Sequence, residues 1–253
     1  MLRRASVLGL WVSIAIPVFA ADPSLVVDRG LPQANLNNAS GPVRSNVRWG
    51  WHNHGFLGDD FTVGAPGERW VIDSIRTWAV PGTADANLPH LGDYYKDVRL
   101  HFGTGDLTPV STAQFTEGSD DTSNPNVHIS DASASGALPY DDFGASLRIW
   151  QIDFTNLNLR VEGGATYRFG VWGNGRAVPG TEGKQFMWYN HASNAPLSGG
   201  RQDGADGSML MFDAAGRYEG AFTAQGNGWD KAADINVQVF AHRVDTELPR
   251  PKK

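Results

Sequence analysis

Polar and apolar positions alternate along several short runs of this chain, and a period of two predicts β-strands. In Lys96–Phe102, for example, Val98, Leu100 and Phe102 fall on one face and polar side chains on the other. The same alternation, or a short apolar run bounded by turn residues, predicts strands at residues 24–28, 70–80, 147–154, 165–171, 185–190, 208–213 and 234–242. No window keeps apolar residues at helical spacing for three turns. The pattern therefore predicts about eight strands and a core without helices.

The connections between these strands are unequal in length and rich in turn residues, which favours antiparallel over parallel pairing. We expect an all-β fold: a single-domain, antiparallel, jelly-roll-like β-sandwich over residues 21–243. A closed barrel is the alternative, with loops of more even length. Residues 81–95 and 106–145 are predicted as long loops, with residues 119–126 as a solvated, mobile tip.

Residues 1–20 have the pattern of a signal peptide. Arg3 and Arg4 precede an almost wholly apolar run, and small residues lead to Ala20, after which we predict cleavage. A membrane anchor is the alternative, but the run is shorter than the roughly 20 residues that a span needs. We therefore expect a secreted or periplasmic bacterial protein without a membrane anchor after cleavage. The tail, residues 244–253, is predicted to be disordered.

Charge and cysteine content narrow the partners. The chain carries 21 basic and 27 acidic residues, a net charge of −6, and loss of the two leader arginines makes this about −8. Nucleic acid is not an expected partner, because phosphate binding needs clustered Lys and Arg. With no cysteine in the chain, no disulfide can stabilise it, which leaves core size, aromatic packing or bound ions.

The stretch Trp49–Val80 combines residues of several chemistries. Its second half, from Trp70, has the composition of a buried strand, and its first half is interpreted as an exposed aromatic and polar loop because it is rich in glycine and histidine. In that loop, His52 and His54 project to the same side of an extended segment, and Asp60 or Asp59 could complete the shell of a divalent metal. The alternative is that the histidines are solvated and the acids cap a turn.

Calcium is a second candidate ion, because exported β-sandwiches often fix loops with Ca²⁺ held by carboxylates and carbonyls. Six loop aspartates could serve: Asp59, Asp60, Asp203, Asp206, Asp230 and Asp234. An acidic chain also supplies such clusters by chance, and the spacing is not that of an EF-hand loop.

Five tryptophans lie at predicted strand ends or in glycine-flanked loops: Trp49, Trp51, Trp172, Trp188 and Trp229. An indole face stacks on the C–H face of a sugar ring while polar side chains take its hydroxyls. We therefore predict that Trp49, Trp51, Asn53 and Asp59 bind a glycan or an envelope polysaccharide. The alternative is that the tryptophans close the ends of the sandwich.

Several short motifs carry a resemblance to a known group. They are VVDRGLP (residues 26–32), GDDF (58–61), WVIDSIRTW (70–78), IDF (152–154) and ADINVQVF (233–240). Together they resemble the skeleton of secreted bacterial β-sandwich proteins, many of which carry a C-terminal PEP-CTERM sorting signal. The resemblance implies an exported β-sandwich, and the lack of an apolar anchor after Phe240 implies release from the surface. It also implies that GDDF is architectural, with Phe61 in the core and the acids binding backbone amides.

Three functions remain open on the sequence. The first is a non-catalytic module that binds a glycan or another polyhydroxylated ligand. The second is a metal-dependent hydrolase or lyase that uses His52, His54 and an aspartate. The third is a structural envelope or matrix protein. The first is favoured because the sequence contains no nucleophile elbow, phosphate-binding glycine loop or cysteine nucleophile.

Overall fold

The computed structural model describes residues 22–32, 48–49, 55–81, 88–132, 148–193, 206–223 and 234–244. Within these residues the chain forms strands β1 (Ser24–Asp28), β2 (Arg48–Trp49), β3 (Gly55–Thr62), β4 (Arg69–Pro81), β5 (Asp97–Gly103), β6 (Thr108–Gln114), β7 (Val127–Asp131), β8 (Trp150–Phe154), β9 (Leu159–Glu162), β10 (Thr166–Trp172), β11 (Trp188–Ser193), β12 (Ser208–Asp213), β13 (Tyr218–Thr223), β14 (Asp234–Ile235) and β15 (Val237–Arg243). One helical turn, α1 (Leu91–Tyr94), precedes β5. The predicted leader and the predicted tail beyond Val244 lie outside the described residues.

The strands form two antiparallel sheets, which confirms the predicted all-β sandwich. The nine-stranded sheet is built on the long strand β4, which pairs with β9 and β8 along one edge and with β15 and β11 along the other. The six-stranded sheet has the order β13-β12-β3-β10-β5-β6. The finer jelly-roll connectivity stays a prediction.

The core lies between the two sheets. The six-stranded sheet contributes Phe61 and Phe169, and the nine-stranded sheet contributes Ile75, Trp150 and Val239, all of them fully buried. Burying an aromatic or branched side chain of this size stabilises the folded state by about 1.5–3 kcal/mol. The predicted core faces of β5, β10 and β15 all point into this layer.

The interpretation of residues 55–62 as part of an exposed loop is wrong, because β3 is a central strand that pairs with β10 on one side and β12 on the other. Side chains of β3 are buried on both faces, so the sequence shows no polar alternation there. The glycines of β3 lie where neighbouring strands leave no room for a side chain. A Cβ at Gly58 would lie 2.2 Å from the carbonyl oxygen of Phe169, an approach that only glycine permits.

The two predicted long loops also contain regular structure. Residues 106–145 include β6 and β7, and residues 81–95 include α1. The predicted mobile tip is bound to the edge of β6, where the Ser123 amide donates to the Gln114 carbonyl at 2.9 Å. Asn124 Nδ2 donates to the Thr112 carbonyl at 3.1 Å. These bonds cover a strand edge that would otherwise be open to another chain.

None of the helical structure found in the described part of the chain has the length and apolar character needed to cross a bilayer.

Candidate ligand-binding pocket

The predicted aromatic loop is described only at its two ends. The backbone of Trp49 lies in β2, opposite Asn190 of β11, and the chain enters β3 at Gly55. Trp51, His52, Asn53 and His54 lie outside the described residues. The metal site of His52, His54 and Asp60 and the glycan contacts of Trp49, Trp51 and Asn53 therefore stay predictions.

The structure corrects the prediction that Asp59 contacts a ligand. Side chains alternate along β3, so Asp59 points into the space between the sheets together with Phe61, and it is fully buried. Its carboxylate lies 2.8 Å from Nη1 of Arg29 and accepts hydrogen bonds from the amides of Asp60 at 2.7 Å and Ile235 at 2.6 Å. A carboxylate enclosed in this way cannot reach a ligand in solvent. Its contacts are those of a structural residue that binds backbone amides.

Asp234 forms a buried charge cluster with Arg29 and Asp59. Asp234 is 0% exposed, and its Oδ1 accepts a hydrogen bond from the Gly207 amide at 2.9 Å. Burial raises the pKa of Asp59 to about 8, against the opposing effect of Arg29, and raises the pKa of Asp234 to about 6. The cluster of two carboxyl groups and one guanidinium has no net charge when the two carboxyl groups together carry one proton. A cluster without net charge costs the least free energy to bury away from water.

Neutral polar side chains surround this cluster. Asn236 Nδ2 donates to the carbonyls of Arg29 at 3.2 Å and Gly30 at 3.1 Å, and the Asn236 Oδ1 accepts from Nδ1 of His191 at 2.5 Å. Burial lowers the pKa of His191 to about 4, so this ring is neutral at physiological pH. These bonds join the end of β1 to β11 and to the link between β14 and β15. The cluster therefore holds these strand ends in place relative to one another.

The calcium prediction gains no support from the described residues. Asp206 is exposed and its Oδ1 accepts from the Ser208 amide at 2.8 Å. Burial, and then the charge of Asp206, raises the pKa of the half-buried Asp60. Across the parts of the chain that the structure describes, no three His, Cys, Asp or Glu side chains are grouped to hold a metal ion. Asp203 and Asp230 lie outside those parts.

A cavity of about 510 Å³ opens at the end of the sandwich where β3 begins and β10 ends. This size is within the range of small-molecule sites. Its side chains are aromatic, amide or thioether groups: Trp172, Asn174, Gln185, Phe186, Met187 and Trp188. Small residues complete the wall: Gly173, Gly175, Gly183, Ala214 and Gly55, the residue of β3 at which the predicted aromatic loop ends.

Trp172 lines this pocket with a half-buried indole, which lies between Arg99 of the neighbouring strand β5 and Phe56 of the neighbouring strand β3. The guanidinium of Arg99 lies 5.5 Å from the centre of the indole, and the ring of Phe56 lies 6.2 Å away and nearly parallel to it. Arg99 is held in turn by an ion pair with Asp97 at 3.2 Å. Trp188 is only 5% exposed, and its Nε1 donates to Asn190 at 3.0 Å. Trp172 is therefore the more exposed of the two indoles that line the pocket.

Two amide side chains accompany the indole. Asn174 Nδ2 donates to Asp97 at 2.6 Å, and its Oδ1 has no hydrogen bond to the described residues. Gln185 is exposed, and its side chain likewise has no hydrogen bond within the described parts of the chain. A Cβ at Gly173 would lie 2.6 Å from the Trp188 ring, so this glycine lets the pocket wall pack tightly. The pocket thus offers one donor–acceptor amide and one further acceptor beside an aromatic face.

Every residue that lines the described wall of this pocket is electrically neutral. An indole face and amide groups suit a neutral ligand with apolar C–H faces and many hydroxyls. The same wall contains no carboxyl or imidazole group that could transfer a proton to a bound molecule.

Sequence reasoning identified part of this site. Trp172 and Trp188 belong to the five tryptophans predicted at strand ends, and they occupy the last position of β10 and the first of β11. Asn174 and Gln185 were missed. The signal for Asn174 was present in the segment Trp172-Gly173-Asn174-Gly175, where an amide lies between two glycines next to a strand-end tryptophan.

Comparison with known proteins gives no relative for this chain: no protein-family model matches, and no curated protein and no solved structure matches either. The resemblance to PEP-CTERM-associated proteins therefore stays a prediction.

Proposed function

We propose that this protein is an exported, non-catalytic binding module that holds a neutral, polyhydroxylated ligand, a glycan, in the pocket beside Trp172. The observation that carries the proposal is the composition of the pocket wall, which combines a fixed indole with two unsatisfied amide functions and no charge. A sugar ring matches both parts, because its C–H face stacks on the indole and its hydroxyls bind the amides.

The two described ends of the predicted aromatic loop lie at the same end of the molecule as this pocket. Trp49 lies opposite Asn190 in the sheet, two residues along β11 from Trp188, and Gly55 lines the pocket itself. Both described ends of the predicted aromatic loop are thus attached near the pocket. This attachment supports a contribution of the loop to binding. The N-terminal pattern of arginines, apolar run and small residues supports export.

The experiment is a titration of the purified protein with neutral oligosaccharides of several linkages, followed by intrinsic tryptophan fluorescence and by calorimetry. We expect one or more of them to bind and to change the emission of Trp172. Replacement Trp172→Ala should weaken that binding by about tenfold or more, because stacking on an indole contributes about 1–3 kcal/mol to comparable ring–aromatic contacts.

Gln185→Ala tests the hydrogen-bonding part of the pocket, with Gln114→Ala as the matched control. Both glutamines are exposed, and Gln114, on β6, does not line the pocket. We expect Gln185→Ala to weaken binding by several-fold and Gln114→Ala to leave it unchanged. Equal binding by the wild type and by Trp172→Ala, with both proteins folded by circular dichroism, would rule out this site. Binding that disappears on addition of a chelator would instead favour the metal-dependent alternative.

A further inference from the structure

A second cavity, of about 310 Å³, lies at the opposite end of the sandwich. Strand β4 runs from Arg69, which lines this second cavity, to Pro81, which pairs with Trp188. Trp188 lines the first cavity, the one beside Trp172, which we call the neutral pocket. Its thirteen residues span about 40 Å at the usual rise of a strand. The two cavities are therefore separate sites that one small ligand cannot bridge.

The second cavity differs from the first in charge, because it is lined by Arg69 and Arg160 against one acid, Glu162. Arg69 of β4 lies opposite Glu162 of β9, and Val71 lies opposite Arg160. The two arginines are thus diagonal neighbours on one face of the sheet, with Cβ atoms roughly 7–8 Å apart. A surplus of positive charge on a protein with a net charge of −6 marks this end as distinct.

Neither arginine is neutralised by a strong internal partner. Arg160 is exposed and has no ion pair with the described residues. Arg69 lies 3.8 Å from Glu162, and both side chains are more than 60% exposed, so that contact contributes little. Two guanidinium groups that project from neighbouring positions on one face favour an anion between them, and a guanidinium binds a carboxylate through two parallel hydrogen bonds.

Apolar groups lie beside the two arginines on the same face of the sheet, with Val71 opposite Arg160 and the Val244 amide donating to the Arg69 carbonyl at 2.8 Å. Trp70 follows Arg69 in β4, so its half-buried indole points to the opposite face, where it packs against the core and its Nε1 donates to Glu68 at 3.1 Å. Tyr167 reaches across from the six-stranded sheet, where its hydroxyl accepts a hydrogen bond from the Glu162 amide at 2.8 Å. Val244 closes the lining. The cavity therefore combines a cationic rim with an apolar floor, in a volume suited to a single ring-sized group.

We infer that this second cavity binds a carboxylate-bearing sugar, a uronate residue of an acidic polysaccharide, with Arg69 and Arg160 holding the carboxylate and the apolar Val71 and Val244 beneath the ring. The site stands apart from the neutral pocket, so it does not depend on the function proposed for Trp172. A chain with both sites can hold a neutral glycan at one end and an acidic one at the other.

The test uses the purified protein, a galacturonic acid trimer as the probe and the neutral galactose trimer as its uncharged counterpart. Calorimetry should show binding of the acidic trimer that weakens by about tenfold or more in Arg160→Gln and further in Arg69→Gln/Arg160→Gln. Raising NaCl from about 50 mM to about 500 mM should weaken it as well, because the contact is electrostatic. Trp172→Ala should leave it unchanged.

Arg217→Gln is the matched control, because Arg217 is 74% exposed, does not line either cavity and forms an ion pair with the nearby Asp213. Thermal melts of all variants establish that each is folded. An equal loss of acidic-trimer binding in Arg217→Gln would overturn the inference, because the effect would then be one of net charge. No binding of the acidic trimer to the wild type, or tighter binding of a glutamate tripeptide, would also overturn it.

Discussion

Two arginine–aspartate pairs hold strands of this sandwich together, and they differ chiefly in their access to water. Arg29 and Asp59 approach to 2.8 Å between the sheets, with side chains 0% and 1% exposed. Arg76 and Asp153 approach to 2.5 Å on the outer face of the nine-stranded sheet, with side chains 31% and 22% exposed. Both pairs join an arginine to an aspartate, so a comparison of them shows the effect of burial, together with that of the second acid, Asp234, in the buried cluster.

The exposed pair belongs to a row of polar residues that crosses the outer face of the sheet. Asp28, Gln238, Arg76 and Asp153 lie opposite one another on β1, β15, β4 and β8. Each neighbour in the row bonds to the next, at 3.2 Å for Gln238 to Asp28 and 3.5 Å for Arg76 to Gln238. Water can replace any one of these contacts. In the buried cluster no such replacement exists, so loss of one member leaves a charge in the core.

The largest difference is expected from the same substitution at the two arginines. Arg29→Met removes the positive charge that faces Asp59 and Asp234, and it should lower the free energy of unfolding by about 3–5 kcal/mol at neutral pH. Arg76→Met should lower it by about 1 kcal/mol or less. Urea unfolding followed by tryptophan fluorescence measures both values. Similar losses in the two variants would show that burial does not separate the pairs.

The pH dependence of stability should also distinguish the buried cluster. Burial raises the pKa of Asp234 to about 6 and of Asp59 to about 8, from 3.8 in the unfolded chain, so the folded protein binds protons more tightly than the unfolded one. This contribution to stability is therefore complete at acid pH and is lost as pH rises through about 6 and then about 8.

We expect the free energy of unfolding to fall by roughly 5 kcal/mol between about pH 5 and pH 9, because the two carboxyl groups together keep their protons over about four more pH units in the folded protein, at about 1.4 kcal/mol per unit. Urea unfolding at a series of pH values measures this slope. Asp234→Asn is the control, because it removes one of the two titrating groups and should flatten the curve. A stability that rises over this range would contradict the shared-proton account of the cluster.

Burial on one face or on both faces also explains which strands could be predicted from the sequence. Strands with one core face, such as β5 and β10, show their alternation locally, and the predicted core residues Val98 and Phe169 are buried. Strand β3 is buried on both faces, and three of its four residues from Gly58 to Phe61 are glycine or aspartate. No local sequence pattern therefore distinguishes it from a loop. Edge strand β6 was missed because its exposed positions are polar.

The candidate site could be predicted only in part, for a related reason. A strand-end tryptophan such as Trp172 is visible in the sequence, but its neighbour across the pocket, Gln185, comes close only through the fold. The role of Asp59 depends on Arg29, thirty residues earlier, and on the Ile235 amide at the far end of the chain. Such long-range partners have no local signal, so an acid in a buried strand was read as an exposed ligand.

Replacing the two aspartates by asparagine tests hydrogen bonding rather than charge. The Asp59 carboxylate accepts bonds from two backbone amides, and asparagine offers one oxygen, so Asp59→Asn leaves one amide facing an NH₂ group. We expect a loss of about 1–2 kcal/mol. Asp153→Asn, where water can reach the site, should cost less than about 1 kcal/mol. Equal losses in urea unfolding would mean that the buried amides find other acceptors.

The smallest expected effect is the coupling energy of the exposed pair. A double-mutant cycle with Arg76→Met and Asp153→Asn should give about 0.2–1 kcal/mol, and about 1 M NaCl should reduce this value because partly exposed charges are screened. The corresponding cycle with Arg29→Met and Asp59→Asn should give a larger coupling that salt barely changes, since mobile ions do not enter the core. If salt weakened both couplings alike, the Arg29 pair would be open to solvent, and its assignment as an enclosed element of the fold would be wrong.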